Sequence, residues 1–301
     1  MTIGSDLDWK PNYIGIGAMK AGSAWLNQCL WEHPEIAPAL KKETHFFDSD
    51  ISYSKGLSFY RSFFPHDTSK LLGEVTPSYI HEPLVPERIY RSFPEIKLVA
   101  CLRDPADRAW SQYNYGLAVK GKVTIYRNFR HAIENDRTLI NNGRYAEHIA
   151  RYLQFFKSDQ LKLFTYEDIK NNPVGTIQDV YKFLGLKNIN FVPIAAEQRH
   201  NQTGGRRARI KNQFIWNQLL KARYYLQYAP KTENIIKNRG LFALVKRKFR
   251  IVDGTTKDTP SSVNPDAMKK NDRQYIINQL HDDISSLEKI LACNLDAWKQ
   301  I

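Results

Sequence analysis

The sequence predicts an α/β protein: a single domain over 1–301 with a central parallel sheet flanked by helices, carrying a basic, mostly helical insert over 206–264 that reads as a lid. Three observations predict it. Short apolar runs alternate with helical patterns along most of the chain, which is the signature of βαβ units. One of those runs, Ile96–Leu102, is apolar at nearly every position, as expected of a parallel strand covered on both faces. The charge is segregated: Arg199–Arg250 holds fourteen Lys/Arg against one acid, Glu233, an excess equal to the +13 of the whole chain.

Composition narrows the class. At 301 residues, 42% hydrophobic, 12% aromatic and 25% charged, the chain is globular and long enough to bury a substantial core. That excludes a disordered tail, a collagen-like fibre and a disulfide-stapled mini-protein. No uncharged apolar run approaches the ~18–20 residues of a membrane span. Met1–Lys10 carries Asp6 and Asp8 and lacks the apolar stretch of a secretory signal. Cys29, Cys101 and Cys293 are odd in number, lie in apolar patterns and have no metal-ligand spacing. They are expected as buried thiols in a reducing compartment, which makes a cytoplasmic location the expectation.

In chain order, Tyr13–Gly17 is a short apolar run ending in glycine, a buried strand. Ser23–Trp31 follows with helical spacing at Trp25, Leu26, Cys29 and Leu30, and Pro34 stops it. Leu71–Thr76 and Ile96–Leu102 read as strands, and Pro105 opens a helix through Ala109, Trp110 and Tyr113. Arg144–Phe156 reads as a helix, Leu161–Tyr166 as a strand, and Pro173–Leu184 as a helix ended by Gly185. The basic segment reads as helical with breaks at Pro230 and Gly240, Asp253–Pro265 as a loop, and Pro265–Ala292 as a long closing helix.

Two loops carry the chemistry. Gly17-Ala-Met-Lys-Ala-Gly-Ser23 joins a strand to a helix, the arrangement in which backbone N–H groups and the helix dipole hold an anion. It departs from the Mg-ATP loop, in which lysine immediately precedes the hydroxyl residue; here Lys20 stands three residues before Ser23. The second loop, Arg103-Asp-Pro-Ala-Asp-Arg-Ala-Trp-Ser111, leaves a strand where open parallel sheets bind ligands. Arg103 offers a planar fork to a phosphate, and Ser111, about two helical turns on, offers a hydroxyl. The plainer reading of Arg103 and Arg108 is a surface ion pair with Asp104 or Asp107.

Taken in order, these segments resemble the sulfotransferases that use 3′-phosphoadenosine-5′-phosphosulfate (PAPS). Lys20-Ala-Gly-Ser23 is similar to that family's 5′-phosphosulfate loop, and Leu102–Ser111 to its 3′-phosphate motif. Lys42-Glu-Thr-His-Phe-Phe-Asp48 and Glu74-Val-Thr-Pro-Ser-Tyr79 resemble stretches of its heparan-sulfate-type branch. Gly143-Arg-Tyr145, Tyr166-Glu167, Phe183–Leu186 and Leu295–Trp298 resemble its later landmarks.

The resemblance implies a P-loop-NTPase-like sulfotransferase fold and transfer of a sulfuryl group from PAPS, leaving 3′,5′-ADP, without a metal. A sulfuryl group carries one negative charge fewer than a phosphoryl group and needs less counter-charge. It further implies that Lys20 stabilises the leaving phosphate, with Ala21, Gly22, Ser23, Ala24 and Trp25 about the 5′-phosphate. Arg103 and Ser111 would hold the 3′-phosphate, and Gly205 and Arg206 would close over the nucleotide. The general base is Glu43 by resemblance, with His45 second and His200 third; if the segment is extended, Glu43 and His45 share a face. Asp48 would support them. The alternative is Glu43 paired with Lys41 or Lys42, and His45 packed beside Phe46 and Phe47.

Val75 stands where the heparan-type branch has a lysine, which points to a small or medium acceptor (natural product, alkaloid, lipid or glycoside) rather than a long glycan. Tyr224, Tyr225 and Phe242 of the basic insert are candidate acceptor contacts, and no nucleic-acid motif accompanies the charge. Two other functions remain in contention: a Mg-ATP phosphotransferase with an atypical loop, and a non-catalytic module binding polyanions or membrane surfaces through Arg199–Arg250.

Overall fold

The computed structural model describes residues 9–65, 69–120, 126–197 and 267–301. The basic segment 199–250, the expected lid 206–264, the expected loop 253–265 and the candidates His200, Gly205 and Arg206 lie outside the described residues.

Five parallel strands form one sheet in the order β2-β3-β1-β4-β5: β1 Tyr13–Gly17, β2 Ile36–Pro38, β3 Leu71–Val75, β4 Lys97–Leu102 and β5 Leu161–Thr165. After β1 the chain builds β2 and β3 on one side, then returns to build β4 and β5 on the other. The loops leaving β1 and β4 therefore flank the point where strand order reverses, the place open α/β sheets keep for ligands. Register there is set by packing. Tyr13 pairs with Gly73, and a Cβ at Gly73 would lie 2.3 Å from the Tyr13 ring. The β2 edge strand was not legible in the sequence, because three residues ending in proline carry no period of their own.

Helix α1 (Ser23–Glu32) covers one face of the sheet together with the later helix Pro173–Leu184. Tyr13, Trp25, Leu26, Cys29, Val99, Cys101, Phe164, Ile177 and Val180 meet there as a dry core. Three short helices then connect the sheet's other side: α2 Asp50–Tyr53, α3 Gly56–Arg61 and α4 Val85–Ser92. Helix α5, Pro105–Lys120, begins as the sequence predicts, and α6 Phe129–Asn135 and α7 Thr138–Asn141 follow it. The helix expected over 144–156 is the shorter α8, Tyr145–Leu153. Next come α9 Tyr166–Asn171, α10 Pro173–Leu184 and α11 Ile194–Glu197. Gly185, at φ 83, ends α10 because a left-handed residue there returns the last amides to Tyr181 and Lys182.

The closing helix, expected over 265–292, runs Lys270–Leu291 as α12 and is followed by α13, Asp296–Lys299. Ile276, Ile277, Leu280, Ile284 and Leu287 give α12 one buried stripe, which packs on α5 and α8. Cys29 and Cys101 are buried as expected; Cys293 is exposed, just past the end of that helix where the apolar stripe has run out.

A buried imidazole and a mostly buried neighbour set an acid limit on this fold. His148 on α8 donates from Nε2 to the Asn141 carbonyl and accepts at Nδ1 from Arg151, so it is held neutral. Burial and the Arg151 guanidinium push it down to about 3, and burial and Arg108 push His81, whose ring lies 6.4 Å away, down to about 4. An unfolded histidine takes its proton near 6.5, so from that pH downward the unfolded state binds protons the folded state refuses. Stability is therefore expected to fall as pH drops from 6.5 through 4, by about 3 kcal/mol for each ring. Urea midpoints measured across that range for His81→Gln and His148→Gln should show shallower slopes than the parent protein. Slopes parallel to the parent would reject the assignment.

Candidate active site

The loop after β1 is pinned from beneath. Ala18 donates its amide to the Cys101 carbonyl at 2.7 Å, and the Cys101 thiol donates to the Ala21 carbonyl at 2.7 Å. Lys20 (φ 65) and Gly22 (φ 113) take left-handed conformations. At Gly22 a side chain would also collide, its Cβ lying 2.9 Å from Ile169 Cδ1 and 3.3 Å from Cys101 Sγ. Gly22 caps α1 without a side-chain hydrogen bond, and the first turn holds no acid. The helix start therefore keeps its donors and its positive dipole end for an anion.

Of the residues expected about that anion, Lys20 and Gly22 are in the loop, Ser23 is buried at the helix start and Ala24 is half-buried. Trp25 turns its ring into the core against Phe164, at 4% exposure, and Ala21 is fully buried. These two can meet an anion only through their backbone, because their side chains are spent on packing.

At the end of β4, Arg103 reaches across to the same loop. Its Nη1 donates to the Lys20 carbonyl at 3.2 Å, its guanidinium lies 4.7 Å from the centre of the Tyr166 ring, and Asp107 is 3.6 Å from Nη2. Its Nε is buried without a partner among the described residues, so the fork is not used up. Asp104 does not pair with it. That carboxylate caps α5 through the amides of Ala106 and Asp107 and takes a 2.5 Å ion pair from Arg273 of α12. Arg108, read as a surface ion-pair residue, is instead fully buried and donates to Gln112 and to the Leu139 carbonyl. Ser111 is buried on α5 two turns beyond Arg103.

The loop 42–48 lies over the end of β3. Its conformation is not extended: Glu43 (φ 58) and His45 (φ 52) are both left-handed, and the two side chains meet through the turn rather than along a strand face. Glu43 Oε2 is 3.8 Å from His45 Nε2, His45 Nδ1 is 2.9 Å from Asp48 Oδ2, and Ser78 Oγ donates to that same oxygen. Lys42 Nζ stands 3.3 Å from Glu43 Oε1. His45 is 47% exposed and Asp48 9%, so a buried carboxylate orients an open imidazole toward an open carboxylate. His45 does not pack in the core; Phe46 and Phe47 do.

What fixes this turn is Glu74. Buried at 2% exposure, it accepts from Thr44 Oγ1 (2.7 Å), the Thr44 amide (3.3 Å), Tyr60 (2.9 Å), Thr76 (2.6 Å) and Tyr79 (3.1 Å). Burial pushes its carboxyl up, and the Thr76 and Thr44 hydrogen bonds pull it back. Thr44 sits between Glu43 and His45, so the buried acid holds the turn that presents them. The segment after β3 also presses on the first loop: a Cβ at Gly17 would lie 2.6 Å from Ile80 and 3.1 Å from the Pro77 carbonyl. The anion loop and the Glu43 turn are thus joined through residues 76–80.

The family model described as "Sulfotransferase domain" matches residues 10–208. The chain belongs to the sulfotransferase family. Heparan sulfate glucosamine 3-O-sulfotransferase 5 of Mus musculus is 30% identical over 269 residues, 83% of this chain and 74% of the relative. Heparan sulfate glucosamine 3-O-sulfotransferase 6 of Homo sapiens is 32% identical over 185 residues, 60% of this chain and 53% of the relative. A bifunctional heparan sulfate N-deacetylase/N-sulfotransferase 4 of Mus musculus matches at 30% over 198 residues, 60% of this chain and 23% of the relative. The chain therefore spans between 23% and 74% of the length of these curated relatives. A solved sulfotransferase from Alicyclobacillus acidocaldarius shares the fold, with a TM-score of 0.65 at 22% identity over 97% of this chain and 100% of that one.

The sequence reading did not reach the residues that support these loops. Tyr60, Ser78 and Tyr115 carry no motif. Tyr60 and Ser78 act by contacts 14 and 30 residues away in the chain, which no local pattern encodes. Glu74 had a signal: an acid inside an apolar strand has to be satisfied by partners brought from elsewhere. Among the described residues no group of three or more His, Cys, Asp or Glu side chains is arranged to hold a metal ion, and no helix is long and apolar enough to cross a membrane.

Proposed function

We propose that the protein transfers a sulfuryl group from PAPS to a hydroxyl or amine of a small or medium acceptor. The observation that carries this reading is the convergence of a helix start without a side-chain cap, Lys20 and Arg103 beyond the ends of β1 and β4, with Arg103 tied to the Lys20 carbonyl. PAPS supplies the sulfuryl group and leaves as 3′,5′-ADP. The residues fit such a nucleotide: the α1 start with Ser23 suits one phosphate, and Arg103 with Ser111 the second. Lys20 offsets charge developing on the leaving phosphate oxygen. Glu43 takes the acceptor proton, and His45, oriented by Asp48, holds Glu43 or shares that proton. Gly205 and Arg206, which the resemblance implies for the nucleotide, lie outside the described residues.

The acceptor reading rests on Val75. It is 2% exposed, within 2.7 Å of a Cβ built at Gly15, and belongs to the apolar core, so β3 brings no cation to the site at that position. The names of the curated relatives favour a second reading, a heparan-type glycan. A cytoplasmic location belongs to the proposal and is supported by the buried thiols Cys29 and Cys101.

Thermal shifts with 3′,5′-ADP, ADP and ATP, each with and without Mg²⁺, test the nucleotide. At 100-fold its dissociation constant a ligand stabilises by ~2.7 kcal/mol, a shift of roughly 5–10 °C. A shift with 3′,5′-ADP that ignores Mg²⁺ is expected; a shift with Mg-ATP alone would replace the proposal by phosphoryl transfer, and none at all by a binding module. Sulfation of heparan oligosaccharides in preference to a panel of small alcohols and amines would reverse the acceptor assignment.

A further inference from the structure

We infer that Tyr115 is a positioning residue for Lys20, holding its ammonium by a ring face in the orientation the transfer step uses. The inference rests on the reading of Lys20 given above and extends it to a residue outside the loop. Lys20 Nζ lies 3.9 Å from the centroid of the Tyr115 ring, well within cation–π range. Tyr115 is on α5 four residues after Ser111, so one helix face presents both toward the loop. It is 41% exposed and does not belong to the buried core, so the contact is not a by-product of core packing.

The choice of partner matters chemically. A ring face restrains an ammonium without cancelling its charge. A lysine has a long, flexible stem whose freedom must be restricted before its charge can be aimed. Here it is held at both ends. Arg103 Nη1 bonds the Lys20 carbonyl at 3.2 Å, fixing the left-handed backbone at φ 65, and Tyr115 fixes the far end. The same device holds Arg103 itself, whose guanidinium lies 4.7 Å from the Tyr166 ring centre. Lys20 and Arg103, the two cations of the proposed nucleotide site among the described residues, therefore rest on tyrosine faces.

The test uses the full chain with PAPS, water serving as acceptor, and follows 3′,5′-ADP release together with the dissociation constant of added 3′,5′-ADP. Tyr115→Phe should keep the rate within about threefold, since the face remains. Tyr115→Leu should lower it at least tenfold with 3′,5′-ADP affinity changed less than threefold and the melting temperature unchanged, a split that general loosening of α5 would not give. A wild-type rate in Tyr115→Leu, or an equal loss in Tyr115→Phe, overturns the assignment; the latter would give the role to the phenol oxygen. Lys20→Ala run alongside separates the two levels. If it too releases 3′,5′-ADP at the parent rate, the reading of Lys20 fails and the role of Tyr115 with it. If it is slow while Tyr115→Leu is fast, only the Tyr115 proposal falls.

Discussion

Replacing Lys20 by alanine is expected to slow sulfuryl transfer by about 10²–10³-fold while 3′,5′-ADP still binds. The bound product retains the α1 start, Ser23, Arg103 and Ser111, so the nucleotide loses one contact among several. The transition state loses more, because charge appears on the bridging oxygen only as the bond to sulfur breaks. Glu43→Gln is expected to cost a comparable ~10²–10⁴-fold, since an amide at that position cannot take the acceptor proton. Single-turnover rates with PAPS, set beside 3′,5′-ADP affinity, check both. Parent rates in both variants would remove the assigned roles. Loss in His45→Gln with retention in Glu43→Gln would move the base to His45, 3.8 Å away.

Glu74→Ala should be the most damaging single change in the described fold outside the nucleotide loop. It removes the acceptor shared by four hydroxyls and an amide: Thr44, Tyr60, Thr76 and Tyr79 through oxygen, and Thr44 again through nitrogen. Each buried donor left unpaired costs ~1–3 kcal/mol, and even with repacking and water entry the total should exceed about 3 kcal/mol. Glu74→Gln keeps one oxygen and should cost less. Chemical denaturation of the two variants measures the difference. The loss should also reach activity, since the turn holding Glu43 and His45 at φ 58 and 52 hangs from Thr44. If Glu74→Ala stays within 1 kcal/mol of the parent, a value at the scale of one ordinary hydrogen bond, the network does not carry the turn.

Much of the site was legible because it follows the chain. Four of the five strands and the glycine loop are short continuous stretches, Arg103 and Ser111 lie within one motif, and Glu43, His45 and Asp48 meet within six residues of chain. The conformation of the Glu43 turn was not legible. An alternating pattern suggests an extended segment, yet a left-handed backbone at two non-glycine residues is favourable only where surrounding contacts enforce it, and those contacts come from Glu74, Tyr79 and the buried Phe46 and Phe47. The surface ion pair weighed as the alternative for Arg108 fails for the same reason: its partner Leu139 lies on another helix 31 residues on, so a charge that looks surface-bound in sequence ends in the core.

Composition, apolar periodicity and two glycine- and arginine-bearing loops determined that this chain folds as a parallel α/β domain with those loops at the ends of neighbouring strands. These are local properties, since strand and helix periods and loop chemistry are written within a few residues. Only the tertiary structure decided which groups face one another: Tyr115 beneath Lys20, Arg103 on the Lys20 carbonyl, Ser78 on Asp48 and Glu74 under the turn. Such pairings depend on strand order and on which helix crosses which strand. That order is settled by burying the apolar faces of the whole domain at once, and no short stretch of sequence contains it.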